Sequence, residues 1–107
     1  MTVNELIKKL DLEVLNLEDG ERSIEGGYTG DLLSWVMGKA ESGDMWVTIM
    51  TNVNVIAVAS LTDCACVVIA ENAEIGDDVI SKARTQGINL LRTPLSAYKV
   101  CNEQILL

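Results

Sequence analysis

Residues 43–72 read GDMWVTIMTNVNVIAVASLTDCACVVIAEN, and the reading of this stretch decides the fold. Two apolar, β-branched runs, residues 45–50 and 65–70, flank a connector of residues 51–64. Nearly continuous hydrophobic runs suit strands covered on both faces, as in parallel sheets. A parallel pair needs a crossover of roughly a dozen residues or more, and the connector is long enough. The stretch therefore reads as strand, crossover helix, parallel strand. A competing reading exists. Val53, Val55, Ile56 and Val58 are β-branched, and such residues slightly disfavour helix. Residues 54–60 also fit a third strand, in a hairpin with residues 45–50. Helix is preferred because the apolar residues do not alternate with polar ones.

Working outward, residues 71–76 read as a loop and residues 77–85 as a helix. Asp77 and Asp78 occupy its first turn, Lys82 and Arg84 its end, and Gly87 stops it. Residues 88–91 (INLL) follow as a short buried strand, which makes a second βαβ unit. Thr93 and Pro94 suit the N-cap and first position of a last helix, with Leu95, Tyr98 and Cys101 on its inner face. The apolar tail Ile105, Leu106 and Leu107 is expected to dock on the domain or on a partner subunit. On the amino-terminal side, Thr2 and Glu5 form a capping box for a helix that carries Leu6, Ile7 and Leu10 on one face and ends at Asp11. Residues 12–17 alternate as a strand, residues 18–21 turn around Asp19 and Gly20, and residues 22–25 are a short extended segment. A glycine-rich turn, residues 26–31 (GGYTGD), then opens a helix over residues 31–39.

The expected architecture is a small α/β domain spanning residues 1–107, a mostly parallel sheet with flanking helices built from consecutive βαβ units. Composition agrees: 49% of the residues are hydrophobic and 22% charged, ordinary for a globular chain. No run approaches a membrane span, and the amino terminus is too polar for a signal peptide. Sixteen acidic residues against eight basic ones give a net charge of −8. That charge repels phosphate backbones and anionic lipid surfaces, so neither nucleic acid nor membrane is an expected partner. Cys64, Cys66 and Cys101 are an odd number without an export signal. They read as reduced thiols in a cytoplasmic protein. A strand through Cys64 and Cys66 would put both sulfurs on one face, but a structural zinc site wants four ligands. Small core hydrophobes are the simpler reading of all three.

Chemistry is thin in this sequence. No His is present, so Ser–His and Cys–His pairs are excluded. No phosphate-binding loop motif occurs. Asp31, Asp44 and Asp63 are the carboxylates nearest the apolar elements, and none has an evident partner. The chain is expected not to be an enzyme and to need no cofactor or metal. Ligands of open α/β sheets bind outside the carboxyl ends of the strands. That rule points to Asn52, Asn54 and Thr93, while the glycine-rich turn offers Gly27, Thr29 and Gly30, whose backbone N–H groups could hold an anion. Plain roles also fit: Thr93 as an N-cap, Asn52 as a turn residue, and the glycines as positions of positive φ. Trp35 reads more readily as a core or subunit-contact residue than as part of a ligand site.

The segments GGYTGDLLSWVMGKAESGDMWVTIM and NVIAVASLTDCACVVIAE resemble the DRTGG domain. The stretch CVVIAENAEIGDDVISKARTQGINLLRTPLSAYKVC is similar to the amino-terminal domain of HPr kinase/phosphorylase. The resemblance covers about residues 12–101. The naming motif D-R-T-G-G would fall at residues 51–55, which read TNVNV, without the arginine or the glycines. The resemblance implies an α/β fold with a parallel sheet, a non-catalytic regulatory or interaction role, and a homodimer. It also implies company with nucleotide-sensing modules, so a nucleotide or metabolite sensor is the alternative function.

Overall fold

The computed structural model describes residues 1–104. Its centre is the unit expected above. Strand β3 (Asp44–Thr48) leads through helix α3 (Val53–Thr62) into strand β4 (Cys66–Ile69), and the strands pair in parallel with Trp46 opposite Val67. The third-strand alternative for residues 54–60 is excluded. The Asn52 side chain caps α3 by accepting from the Asn54 N–H at 2.9 Å, and Asp63 ends it in the left-handed region at φ 56°. The β-branched residues are accommodated because Val55, Ile56, Val58 and Ala59 are all buried. Packing outweighs a propensity penalty of a few tenths of a kcal/mol per residue, since each buried Val or Ile contributes roughly 1.5–3 kcal/mol.

A five-stranded sheet runs in the order β1-β5-β4-β3-β2. Strand β2 (Gly26–Thr29) pairs in parallel with β3, and strand β5 (Leu90–Arg92) in parallel with β4. Strand β1 (Glu13–Asn16) closes the far edge antiparallel to β5, with a register shift between Val14 and Asn16. The sheet is therefore mostly parallel and built from consecutive βαβ units, one more than the sequence suggested. The extra unit arises because the glycine-rich segment expected to turn is strand β2. Residues 22–25, expected to be extended, supply only an isolated bridge from Ser23 to Thr2.

Side-chain alternation along β3 and β4 sorts the core into two layers. On one face, Trp46, Val67 and Ile69 pack with Val36 of helix α2 (Leu33–Lys39), with α3, and with Val79 and Ala83 of helix α4 (Asp77–Gln86). On the other, Met45, Val47, Cys66 and Val68 pack with Val3 and Leu6 of helix α1 (Val3–Leu10) and with Val100 of helix α5 (Ala97–Gln104). The capping box of Thr2 and Glu5 is present. Gly87 ends α4 at φ 71°, a conformation that glycine adopts without strain.

Three expectations for the last helix are corrected: its start, its cap and its inner face. The last helix starts at Ala97, and the Ser96 hydroxyl accepts from the Lys99 N–H at 3.2 Å. Thr93 instead accepts from the Leu95 N–H, closing a turn before the helix. The shifted start moves Val100 inward and leaves Tyr98 76% exposed. Trp35 is 59% exposed, while Trp46 is fully buried and donates to the Gly30 carbonyl at 2.9 Å. The tail Ile105, Leu106 and Leu107 lies outside the described residues.

Asn89, 5% exposed, pins the amino-terminal third to the sheet. Its side-chain oxygen accepts from the Glu18 and Asp19 N–H groups, and its amide donates to the Asp19 and Ala65 carbonyls. Removing it takes a partner from the Glu18 and Asp19 N–H groups and the Ala65 carbonyl, at about 1 kcal/mol or more each where water cannot reach, while the Asp19 carbonyl keeps the Arg22 N–H. Asn89→Ala is expected to lower unfolding stability by roughly 2–4 kcal/mol in a urea titration. A loss under about 0.5 kcal/mol would show that the clamp is dispensable.

Candidate functional site

The carboxyl ends of β2, β3, β4 and β5 lie along one rim, because all four strands are parallel. Asp31 organises the β2–β3 end of that rim. Its Oδ1 accepts from the Thr48 hydroxyl at 2.7 Å and from the Ile49 N–H at 2.9 Å, which ties the β2 exit to the β3 exit. Gly30 donates to the Val47 carbonyl at 3.2 Å and accepts from the Trp46 indole. Asp31 was expected to begin a helix; α2 begins at Leu33, and no side chain caps it. The sequence signal for this tie was an aspartate directly after a strand-ending glycine, which reads equally well as an N-cap.

The candidate residues separate in space. Asn52 and Asn54 sit at the exit of β3, as expected, and Gly30, expected in a glycine-rich turn, sits at the adjoining exit of β2. Gly27 lies inside β2 opposite Met45, away from the rim. Thr29 ends β2, and its hydroxyl meets the Cys101 sulfur at 3.1 Å, on the side of α5. Thr93 is 1% exposed and two strands from β3, which is about 10 Å at the usual strand spacing. Gly27, Thr29 and Gly30 form no anion-binding turn, because Gly27 and Thr29 belong to a strand rather than to a loop before a helix.

Helix α4 leaves β4 on one face and α5 leaves β5 on the other, so the β4–β5 junction is where an open sheet would offer a crevice. Here the crevice is laced shut. Glu71 and Asn72 both hold positive φ, 61° and 54°. That geometry lets their N–H groups donate to the Leu95 and Thr93 carbonyls at 2.9 and 2.8 Å. Arg92 is also occupied: it pairs with Glu13 at 2.8 Å and donates to the Ala73 carbonyl. What stays accessible near β3 is neutral and hydrogen-bonding, beside the carboxylate of Asp31. This suits a small polar molecule better than a polyphosphate.

The carboxylates without an evident partner in the sequence all have one. Besides Asp31, Asp44 accepts from the Glu41 N–H at 2.8 Å. Asp63 accepts from the Ser42 hydroxyl at 2.6 Å and pairs with Arg22 at 3.1 Å. The Ser42 hydrogen bond, then Arg22, lowers its pKa below the ordinary carboxylate value. Cys64 and Cys66 face opposite core layers, so no single face carries both sulfurs. Among the described residues no group of three His, Cys, Asp or Glu is placed to hold a metal ion, and no helix is long and apolar enough to cross a membrane.

No family model matches the sequence, and no curated protein matches it significantly. A similar solved structure is the crystal structure of the CBS and DRTGG domains of the regulatory region of Clostridium perfringens pyrophosphatase, complexed with its activator diadenosine tetraphosphate. The likeness has a TM-score of 0.74 at 11% identity and covers 94% of this chain and 44% of that one. This chain thus spans less than half of its neighbour's length. At that identity the likeness concerns the fold: a small α/β domain of the kind found in that CBS and DRTGG region.

Burial raises the pKa of Cys64 and pushes Cys66 up to about 12, against an ordinary value of 9.0. A rise of three units leaves Cys66 with roughly a thousandth of the usual thiolate. In the native protein near pH 8, a thiol-alkylating reagent is therefore expected to label Cys101, with Cys64 and Cys66 following only on unfolding. Mass spectrometry of labelled peptides reads the order; early labelling of Cys66 would contradict the buried β4.

Proposed function

We propose that this chain is a non-catalytic regulatory or interaction domain of the DRTGG type that works by associating with a second copy of itself. The observation that carries the reading is an open sheet edge, β2, beside exposed apolar residues of α2. Leu32, the residue before α2, and Trp35 are 61% and 59% exposed. Large apolar side chains gathered on one surface mark contact sites more often than solvent-facing ornament. The regulatory origin of the similar structure supports the same reading. So does the employment of Asp31, Asp44 and Asp63 in structural hydrogen bonds, which leaves them poorly placed as an acid–base pair. The similarity to the HPr kinase/phosphorylase amino-terminal domain and a cytoplasmic setting belong to this reading too. Light scattering at micromolar concentration is expected to give twice the mass of one chain. A single-chain mass up to roughly 100 µM, where even weak specific pairs associate, would refute self-association.

A second reading is a small-molecule sensor. It is favoured by one observation, that the similar pyrophosphatase region was solved with a nucleotide activator. In this chain the site would be the rim where Asn52 and Asn54 offer side-chain amides beside Gly30, whose own N–H and C=O are engaged, so a nucleoside or another uncharged polar metabolite fits better than a polyphosphate. A ligand that binds only the folded state raises the melting temperature. Adenosine is expected to raise it more than diadenosine tetraphosphate does, and Asn52→Ala is expected to abolish the shift. Equal or larger shifts with the polyphosphate would overturn this assignment of the rim.

A further inference from the structure

We infer that residues 71–73 form a strained latch over the β4–β5 exit, which opens on its own while the sheet stays folded. The functional consequence rests on the sensor reading above, because opening adds Thr93 to the rim. The motion itself is measured without a ligand.

The backbone supplies the first argument. Asp11, Asp63, Glu71 and Asn72 are the non-glycine residues with positive φ among those described. Asp11 and Asp63 end helices α1 and α3, where a left-handed residue is the usual way for the chain to stop. Glu71 and Asn72, at 61° and 54°, follow a strand instead. They are consecutive, whereas left-handed residues ordinarily occur singly. Asn tolerates the region, but a Glu Cβ there crowds the following carbonyl oxygen. Such conformations persist only where the surroundings over-determine them, and they gather at switch regions and ligand clamps.

The bonds that hold this one are few. The Glu71 N–H donates to the Leu95 carbonyl at 2.9 Å and the Asn72 N–H to the Thr93 carbonyl at 2.8 Å. The Arg92 guanidinium donates to the Ala73 carbonyl at 3.3 Å while Glu13 holds it at 2.8 Å. The β4–β5 ladder is separate: Val67 donates to the Asn89 carbonyl and Thr93 to the Ile69 carbonyl. Parting the latch therefore leaves the sheet paired. The strain released offsets part of what the three bonds contribute. Glu71 and Asn72 are also exposed, so water reaches their N–H groups as the bonds part. Segments with few buried contacts and exposed backbone bonds open first.

Thr93 supplies the second argument. It is 1% exposed. Its hydroxyl accepts from the Leu95 N–H at 3.2 Å and donates to no group among the described residues. A buried donor without an acceptor is costly and calls for an explanation. Asn72 closes over Thr93 through the 2.8 Å bond, so opening the latch is the route by which this hydroxyl reaches water or a ligand. The open exit also offers the Glu71 and Asn72 N–H groups and the Thr93 and Leu95 carbonyls. Glu71, Glu74, Asp77 and Asp78, all exposed on the loop and the start of α4, repel polyanions. An uncharged molecule carrying both donors and acceptors fits, which is the chemistry assigned above to Asn52 and Asn54.

The test is amide hydrogen exchange read by nuclear magnetic resonance on the full chain, with Val68 in β4 as internal reference. The Asn72 amide is expected to exchange roughly a hundredfold or more faster than Val68 after correction for intrinsic rates. Low urea should accelerate Val68 and leave Asn72 unchanged, since local opening exposes little surface. Glu71→Gly and Glu71→Ala, both checked for folding by circular dichroism, then read the strain. They remove the same carboxylate and differ only in the Cβ. Asn72 exchange is expected to be about threefold or more slower in Glu71→Gly than in Glu71→Ala. Without strain to relieve, glycine would speed it through its greater freedom in the open form. An Asn72 amide protected as strongly as Val68 overturns the latch. Exchange in Glu71→Gly as fast as in Glu71→Ala, or faster, overturns it too. A chain with no thermal shift on adenosine loses the sensor reading, while the exchange rates decide the latch independently.

Discussion

Strands β3 and β4 lie side by side with Trp46 opposite Val67 and Val47 opposite Val68, and every residue of both is buried. Apolar side chains leave both faces of this pair, so two helical layers are required to cover them. The connections meet that demand. Helices α2, α3 and α4 cover one face, and α1 with α5 covers the other. Because β2 to β5 follow one another in sheet order as well as in sequence, their exits share a rim and their outer member is left with one unpaired side.

The two tryptophans show how this constraint distributes the same chemistry to opposite ends. Trp46 lies in the buried pair and has its indole N–H satisfied by Gly30. Trp35 lies on the outer helix and meets only Lys39 among ring contacts of the described residues. An exposed aromatic beside an open strand is costly to leave in water, since a ring of that size carries roughly 150–250 Å² of largely apolar surface. The rim, in contrast, is polar and largely engaged with itself. The fold thus places its unspent apolar surface at a sheet edge, and that placement supports a contact role over a chemical one.

The central unit was legible because its runs are long and its connector has the length of a crossover. Helix α4 was legible from Asp77, Asp78 and Gly87, whose terminal chemistry is local. Strand β2 was not. Gly26 and Gly27 carry no strand propensity and read as a turn; they extend because β3 offers a ladder partner, a tertiary effect that no window of sequence contains. Tyr98 was misplaced because a helix start three residues late rotates every face, and Ser96 competes with Thr93 as a cap. Of the candidate residues, the strand-exit rule placed Asn52 and Asn54 correctly after β3, whereas Gly30 was expected in a glycine-rich turn and instead follows strand β2. The rule failed for Thr93 because Glu71 and Asn72 adopt left-handed conformations that seal the β4–β5 exit; Asn tolerates that conformation, but Glu71 gives no local sign of it.

The most direct measurement is an isotope-filtered nuclear Overhauser experiment on a mixture of labelled and unlabelled chains, which records only contacts between copies. The account predicts cross-peaks between the Trp35 ring and the Leu32 methyls of different chains. Intermolecular peaks confined to β1, α1 or α5, or none at concentrations where the chain is dimeric, would contradict it.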